Sequence, residues 1–117
     1  MELVAFLGND KENWGQITAL INRYDWEKVV LIKNKKSKDI DFSKKCDIIE
    51  VNSERPLIEL KNEIMSKLEG KLGGLEVALS IASGNGKEHM ALISALLSIP
   101  VGIRLVVFTK EGIEFIN

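Results

Sequence analysis

The residues best suited to chemistry lie in a glycine-rich turn, Ser83-Gly84-Asn85-Gly86-Lys87, which separates an apolar run from the start of a predicted helix. Glycines permit backbone conformations that side chains forbid, so several N–H groups in such a turn can point at one ligand. The helix that follows contributes unpaired amides and the positive end of its dipole. Because Lys87 and His89 lie in its first turn, the segment is suited to hold an anion, above all a phosphate.

The same turn is compatible with a purely structural function, because tight strand-to-helix turns often need glycine. The turn is not a Walker A loop, since G-x-x-x-x-G-K-[ST] is absent. Its G-x-G also lacks the third glycine that the dinucleotide-binding fingerprint requires. Ser83 could donate to a phosphate or stabilise the turn, and Asn85 could contact a base or only tolerate left-handed geometry. His89 could contact the ligand or transfer a proton, or it could be an ordinary histidine.

Composition limits the classes of protein that fit. The chain has 117 residues, 45% of them hydrophobic and 28% charged, which predicts one soluble globular domain over residues 1–117. A net charge of −1 argues against a general nucleic-acid coat, so we expect no direct DNA binding. The single cysteine, Cys46, cannot form an internal disulfide, and no pattern predicts a metal or cofactor. The absence of a signal peptide or a long apolar run predicts a cytoplasmic protein without a membrane partner.

Apolar periodicity predicts the elements that position the turn. The alternation of strands and helices predicts an α/β fold with a doubly wound, Rossmann-like, mainly parallel sheet that ends in an antiparallel edge hairpin. Residues 3–7 and 75–82 are expected as neighbouring central strands, so residues 8–11 and 83–87 would border the topological switch point, where such folds bind ligands. Further strands are expected at 29–32, 48–51, 103–109 and 113–116, and the lysine-rich segment 33–45 is expected as a solvated connection. Helices are expected after a capping box formed by Asn13 and Gln16, after the cap Ser53, and over 87–98.

The predicted helix over 87–98 is apolar around almost its whole circumference, with Ser94 and Ser98 as its only polar side chains past the first turn. One sheet covers only one side of a helix. The other side is therefore buried by the neighbouring hairpin and loops, or by the same helix of a two-fold partner. We expect a homodimer. The predicted interface residues are Met90, Ile93, Leu96 and Leu97.

Over nearly its whole length the chain resembles the CRISPR-associated Rossmann-fold (CARF) sensor domains. After its fourth strand this family carries the pattern [DN]-x-[ST]-x-x-x-[RK], followed by an M-x-x-A-L helix. Ser83 and Lys87 match the pattern, and Met90 begins the helix in the family manner. Ile81 replaces the acidic or amide residue at the first position. In the loop after the first strand, where relatives frequently have Ser or Thr, this chain has Asn9 and Asp10.

The resemblance implies a homodimer that recognises a cyclic oligoadenylate, a second messenger of CRISPR antiviral defence, with any output from a separate effector protein. Some relatives cleave this messenger, so a metal-independent ring nuclease with Lys87 and His89 as candidate catalytic residues is the second hypothesis. A structural or interaction domain with a vestigial pocket is the third. The implied ligand-binding residues are Gly8, Asn9, Asp10, Ser83, Gly84, Asn85, Gly86 and Lys87.

Overall fold

A six-stranded sheet forms the centre of the computed structural model, which describes residues 1–35 and 46–117. The strands are β1 (Glu2–Leu7), β2 (Lys28–Asn34), β3 (Asp47–Val51), β4 (Glu76–Ser80), β5 (Gly102–Thr109) and β6 (Gly112–Phe115). Their order in the sheet is β3-β2-β1-β4-β5-β6. The first five strands are parallel, and β6 pairs antiparallel with β5 at the edge. The predicted α/β fold, its mainly parallel sheet and its antiparallel edge hairpin are therefore confirmed.

Helices cover both faces of the sheet, as a doubly wound fold requires. They are α1 (Trp14–Asn22), preceded by a 3-10 turn (Lys11–Asn13), α2 (Leu57–Leu68) and α3 (Gly86–Ser98). Alternation along β1 sends Leu3, Ala5 and Leu7 to the α1 face and Val4 and Phe6 to the face covered by α2 and α3. All five side chains are buried, so β1 contributes to the hydrophobic core on each face of the sheet. None of the described helices has the length and apolar character to cross a membrane.

The two strands that carry the candidate site are neighbours. β1 and β4 run parallel, with Glu2 opposite Val77 and Ala5 opposite Ser80. Their carboxyl ends therefore lie at one edge of the sheet, and the chain order reverses between them. This confirms the predicted position of the topological switch point, with the loop after β1 and the turn after β4 beside each other.

The predicted capping box at the start of the first helix is wrong. Asn13 donates from Nδ2 to Asp10 Oδ2 at 2.7 Å and makes no cap of its own. Gln16 instead bonds the backbone of Phe108, donating from Nε2 to its oxygen (2.6 Å) and accepting from its N–H (3.1 Å). The reason is that β5 extends beyond the end of β4. The pairing of these two strands ends at Leu105, three residues before Phe108. The Gln16 amide supplies the two hydrogen bonds that a neighbouring strand would otherwise make with Phe108.

Other local predictions are also corrected. Ser53 does not cap α2, because Pro56 directly precedes the helix, and the Ser53 hydroxyl is buried without a partner among the described residues. Leu75 lies outside β4 and is 92% exposed, since β1 pairs no further back than Val77. Lys33 is not in a solvated connection but buried in β2, where its ammonium lies 3.2 Å from the Glu50 carboxylate. The remainder of that predicted connection, 36–45, lies outside the described residues.

Candidate functional site

Asp10 joins the loop after β1 to the turn after β4. Its Oδ1 accepts from the Ser83 hydroxyl (2.7 Å) and from the Gly84 N–H (3.0 Å), and Asn13 donates to its Oδ2. The Ser83 hydroxyl is fully buried and also accepts from the Gly8 N–H at 2.8 Å. We call these contacts the Asp10 clasp. They bring the predicted residues of both loops together, but they also occupy the Ser83 hydroxyl, which therefore holds the loops rather than facing a ligand.

The backbones of the two loops touch at a pair of glycines. A Cβ at Gly8 would lie 2.6 Å from the Gly84 Cα and 2.7 Å from Asp10 Oδ1. Gly84 has a φ of +106°, and a Cβ there would lie 3.0 Å from the Nε2 of His89. These two positions accept no side chain without a shift of the surrounding structure, so both glycines are explained by the contact between the loops.

The start of α3 is closed by a capping box. The Asn85 side chain accepts from the Glu88 N–H at 2.8 Å, and the Glu88 carboxylate accepts from the Asn85 N–H at 2.9 Å. Asn85 therefore has a structural function. The N–H groups of Asn85 and Glu88 are used within the capping box and are not available to an anion. The N–H groups of Gly86 and Lys87 make no hydrogen bond within the described part of the chain, so they are the donors that remain.

The two candidate catalytic side chains have backbone partners. The Lys87 ammonium donates to the Arg55 carbonyl oxygen at 3.0 Å, which places it at the exposed segment before α2. His89 Nε2 lies 2.7 Å from the Ser83 carbonyl oxygen. Because a carbonyl only accepts, Nε2 carries a proton in this contact. Lys87 and His89 thus lie on the same helical turn without sharing a partner.

A pocket of about 230 Å³ opens between the loops, lined by Asn9, Asp10, Gly84, Asn85 and Glu88. Burial raises the pKa of Asp10, but hydrogen bonds from Asn13, Ser83 and the Gly84 amide outweigh it and hold that pKa below its usual value. Asp10 is therefore ionised at neutral pH. The described residues of the lining include two carboxylates and no cationic side chain, so the pocket suits a hydrogen-bond donor better than a phosphate.

The depressed pKa of Asp10 predicts a pH-dependent stability. Because the folded-state pKa lies below the unfolded one, the stabilisation is complete above the unfolded pKa and is lost as pH falls below about 4. We expect Asp10→Asn to lower the free energy of unfolding by roughly 1–3 kcal/mol at pH 7. Denaturant titrations should show this difference shrinking towards pH 3, whereas the exposed Asp25→Asn changes little. A difference that stays constant across this range would contradict the ionised clasp.

Two residues not singled out from the sequence belong to the site. Glu88 is 6% exposed and both caps α3 and lines the pocket. Its signal was the Asn-x-x-Glu spacing from Asn85, a capping box with asparagine in place of serine. Trp14 is the second: its Nε1 donates to the Gly8 carbonyl at 2.9 Å and closes the loop after β1. No sequence pattern marks that bond.

The outward face of α3 is apolar. Met90 and Leu97 are 58% and 66% exposed, and Ile93 is half-buried between them. Apolar hollows of about 420 and 350 Å³ adjoin Met90. The prediction that Leu96 lies in the dimer interface is wrong. Its side chain is fully buried with Leu92 where α3 packs on α2 and the sheet. The surface open to a partner is therefore Met90, Ile93 and Leu97, which we call the α3 face.

Neither a metal site nor thiol chemistry is supported by the described residues. Within 1–35 and 46–117, no group of three or more His, Cys, Asp or Glu side chains could hold a metal ion. Burial, reinforced by the negative charge of Asp47, raises the pKa of the half-buried Cys46 thiol, so this group is a poor nucleophile.

No protein-family model matches the chain, and no curated protein matches it. The functional assignment therefore depends on the geometry of the two loops and on the resemblance given by the sequence.

Proposed function

We propose that the protein is a nucleotide-sensing domain that binds a cyclic oligoadenylate as a homodimer, in CRISPR antiviral defence as its resemblance to CARF domains implies. The observation that carries this proposal is the Asp10 clasp at the switch point between β1 and β4. Doubly wound folds bind ligands at that edge of the sheet. Because the clasp fixes both loops in advance, binding needs little further ordering of the backbone.

The remaining donors indicate where a phosphate would bind. The N–H groups of Gly86 and Lys87 open α3, at the positive end of its dipole. The Lys87 side chain is exposed, and within residues 1–35 and 46–117 its ammonium bonds only the neutral carbonyl of Arg55. A phosphate is the stronger acceptor, since charge-assisted hydrogen bonds are about twice as strong as neutral ones. Lys87 can therefore exchange its carbonyl partner for a ligand phosphate without unfolding any element.

Dimerisation through the α3 face is tested by a matched pair of substitutions. We expect Leu97→Glu to leave the fold intact, because the side chain is mostly exposed in one protomer, but to abolish the dimer by placing a carboxylate in apolar packing. Leu96→Glu should instead unfold the protein, since Leu96 is fully buried. Sedimentation and circular dichroism distinguish the two outcomes. A monomeric wild type at high concentration, or a dimeric Leu97→Glu protein, would rule out this interface.

The function itself is tested by calorimetric titration of the wild type with cyclic tetra-adenylate and cyclic hexa-adenylate, followed by chromatography of the ligand after incubation without metal. Binding with an intact ligand supports the sensor. Linear products would instead indicate the ring nuclease, for which Lys87 and His89 are the candidate residues. If no adenylate binds, the proposal is overturned. The exposed α3 face would then favour the alternative of an interaction domain.

A further inference from the structure

The pocket between the loops is lined by a carboxylate oxygen with unused hydrogen-bonding capacity. Glu88 is 6% exposed, and one of its carboxylate oxygens accepts the Asn85 N–H. The other oxygen accepts no hydrogen bond from any residue that the structure describes, although Glu88 lines the pocket. Unlike the Ser53 hydroxyl, this oxygen retains solvent access, so a donor group that enters the pocket can reach it.

We propose that this pocket binds the amino-bearing edge of a nucleobase, with the exocyclic amino group donating to the unused oxygen of Glu88. A carboxylate only accepts, and amino groups of bases are matching donors. The volume of about 230 Å³ is below the roughly 300–1,000 Å³ of pockets for drug-sized ligands, so it suits a base rather than a whole nucleotide. The inference rests on the proposed function and assigns the base and the phosphate to separate parts of one site.

Charge supports this division of the site. The Asp10 clasp holds an ionised carboxylate at one wall of the pocket, and Glu88 forms another. Among the lining residues that the structure describes, a phosphate would meet two carboxylates and no cationic side chain, which disfavours its charged form. The amide donors of Gly86 and Lys87 and the Lys87 ammonium follow Asn85 at the start of α3 and do not line this pocket. A nucleotide with its base inside and its phosphate outside satisfies both regions.

The test compares cyclic tetra-adenylate with the same ring built from purine riboside, in which hydrogen replaces each amino group and leaves that edge of the base without a donor. We expect the wild type to bind the adenylate at least about tenfold more tightly, because a ring C–H makes no comparable hydrogen bond to Glu88. Glu88→Gln keeps an oxygen for the Asn85 N–H and adds an amide donor, so it should lose or reverse the preference. Glu59→Gln, in the first turn of α2, is the matched control and should keep it.

The outcomes separate this inference from the proposed function. Equal affinity of the wild type for the two rings, or an unchanged preference in Glu88→Gln, overturns the base assignment while nucleotide binding stands. The wild-type comparison alone decides the matter if Glu88→Gln does not fold. If neither ring binds the wild type, the proposed function fails, and the base assignment fails with it.

Discussion

Gly8→Ala is expected to lower the free energy of unfolding by at least the roughly 1–3 kcal/mol typical of an overpacked core. The added methyl group would lie 2.6 Å from the Gly84 Cα, an atom of the opposing backbone that no side-chain rotation can move. Relieving this overlap separates the two loops and weakens the Asp10 clasp, so nucleotide binding should fall with stability. Denaturant-induced unfolding measures the first effect, and calorimetry measures the second.

Gly15→Ala is the matched control for the same change. Gly15 lies in the first turn of α1, and a Cβ there would meet no atom within 4 Å. Replacing a helical glycine with alanine should stabilise the protein by about 0.5–1 kcal/mol. The two substitutions therefore have opposite expected signs. If Gly8→Ala proves as stable as the wild type, the loops are not packed as described.

Lys87→Ala is expected to weaken the binding of cyclic tetra-adenylate by about ten- to a hundredfold while the fold stays intact. Loss of one charge-assisted hydrogen bond to a phosphate costs roughly 1.5–3 kcal/mol, and two copies in a symmetric dimer compound the loss. Stability should change little, because the ammonium is exposed and its partner, the Arg55 carbonyl, can bond water instead. Calorimetric titration and thermal unfolding give the two quantities.

Lys110→Ala, in the exposed turn between β5 and β6, removes the same charge from a residue outside both loops and α3 and should leave the affinity unchanged. This control separates a local contact from the effect of net charge. Equal affinities for the wild type and Lys87→Ala would remove Lys87 from the site. Equal losses for Lys87→Ala and Lys110→Ala would show that only the overall charge matters.

The fold could be predicted because its signals are local. Five consecutive apolar residues at 3–7 indicate a strand covered on both faces, and the structure buries all of them. The alternation of such runs with helical periodicity then fixes a parallel sheet. Glycine also marked the turns correctly, since Gly84 and Gly112 both have positive φ. Each of these properties depends on neighbours within a few residues in the chain.

The contacts that could not be predicted join distant parts of the chain. The Ser83 hydroxyl reaches Asp10 across 73 residues, so two side chains expected to face a ligand are bonded to each other. Gln16 reaches Phe108 across 92 residues and leaves the capping function that its spacing suggested. Leu96 was expected at a surface because the packing of α2 on α3 does not show in a helical pattern. Long-range partners decide such assignments, and a single sequence does not specify them.

The central claim is that a cyclic oligoadenylate binds at the edge of the sheet between β1 and β4. Its most direct test is the mapping of backbone amide chemical shifts in the wild type during titration with cyclic tetra-adenylate. We predict that the largest changes fall on the amides of Asn9, Gly84, Gly86 and Lys87, with little change along β6. Saturable changes confined to other parts of the chain, or no changes at all, would contradict the account.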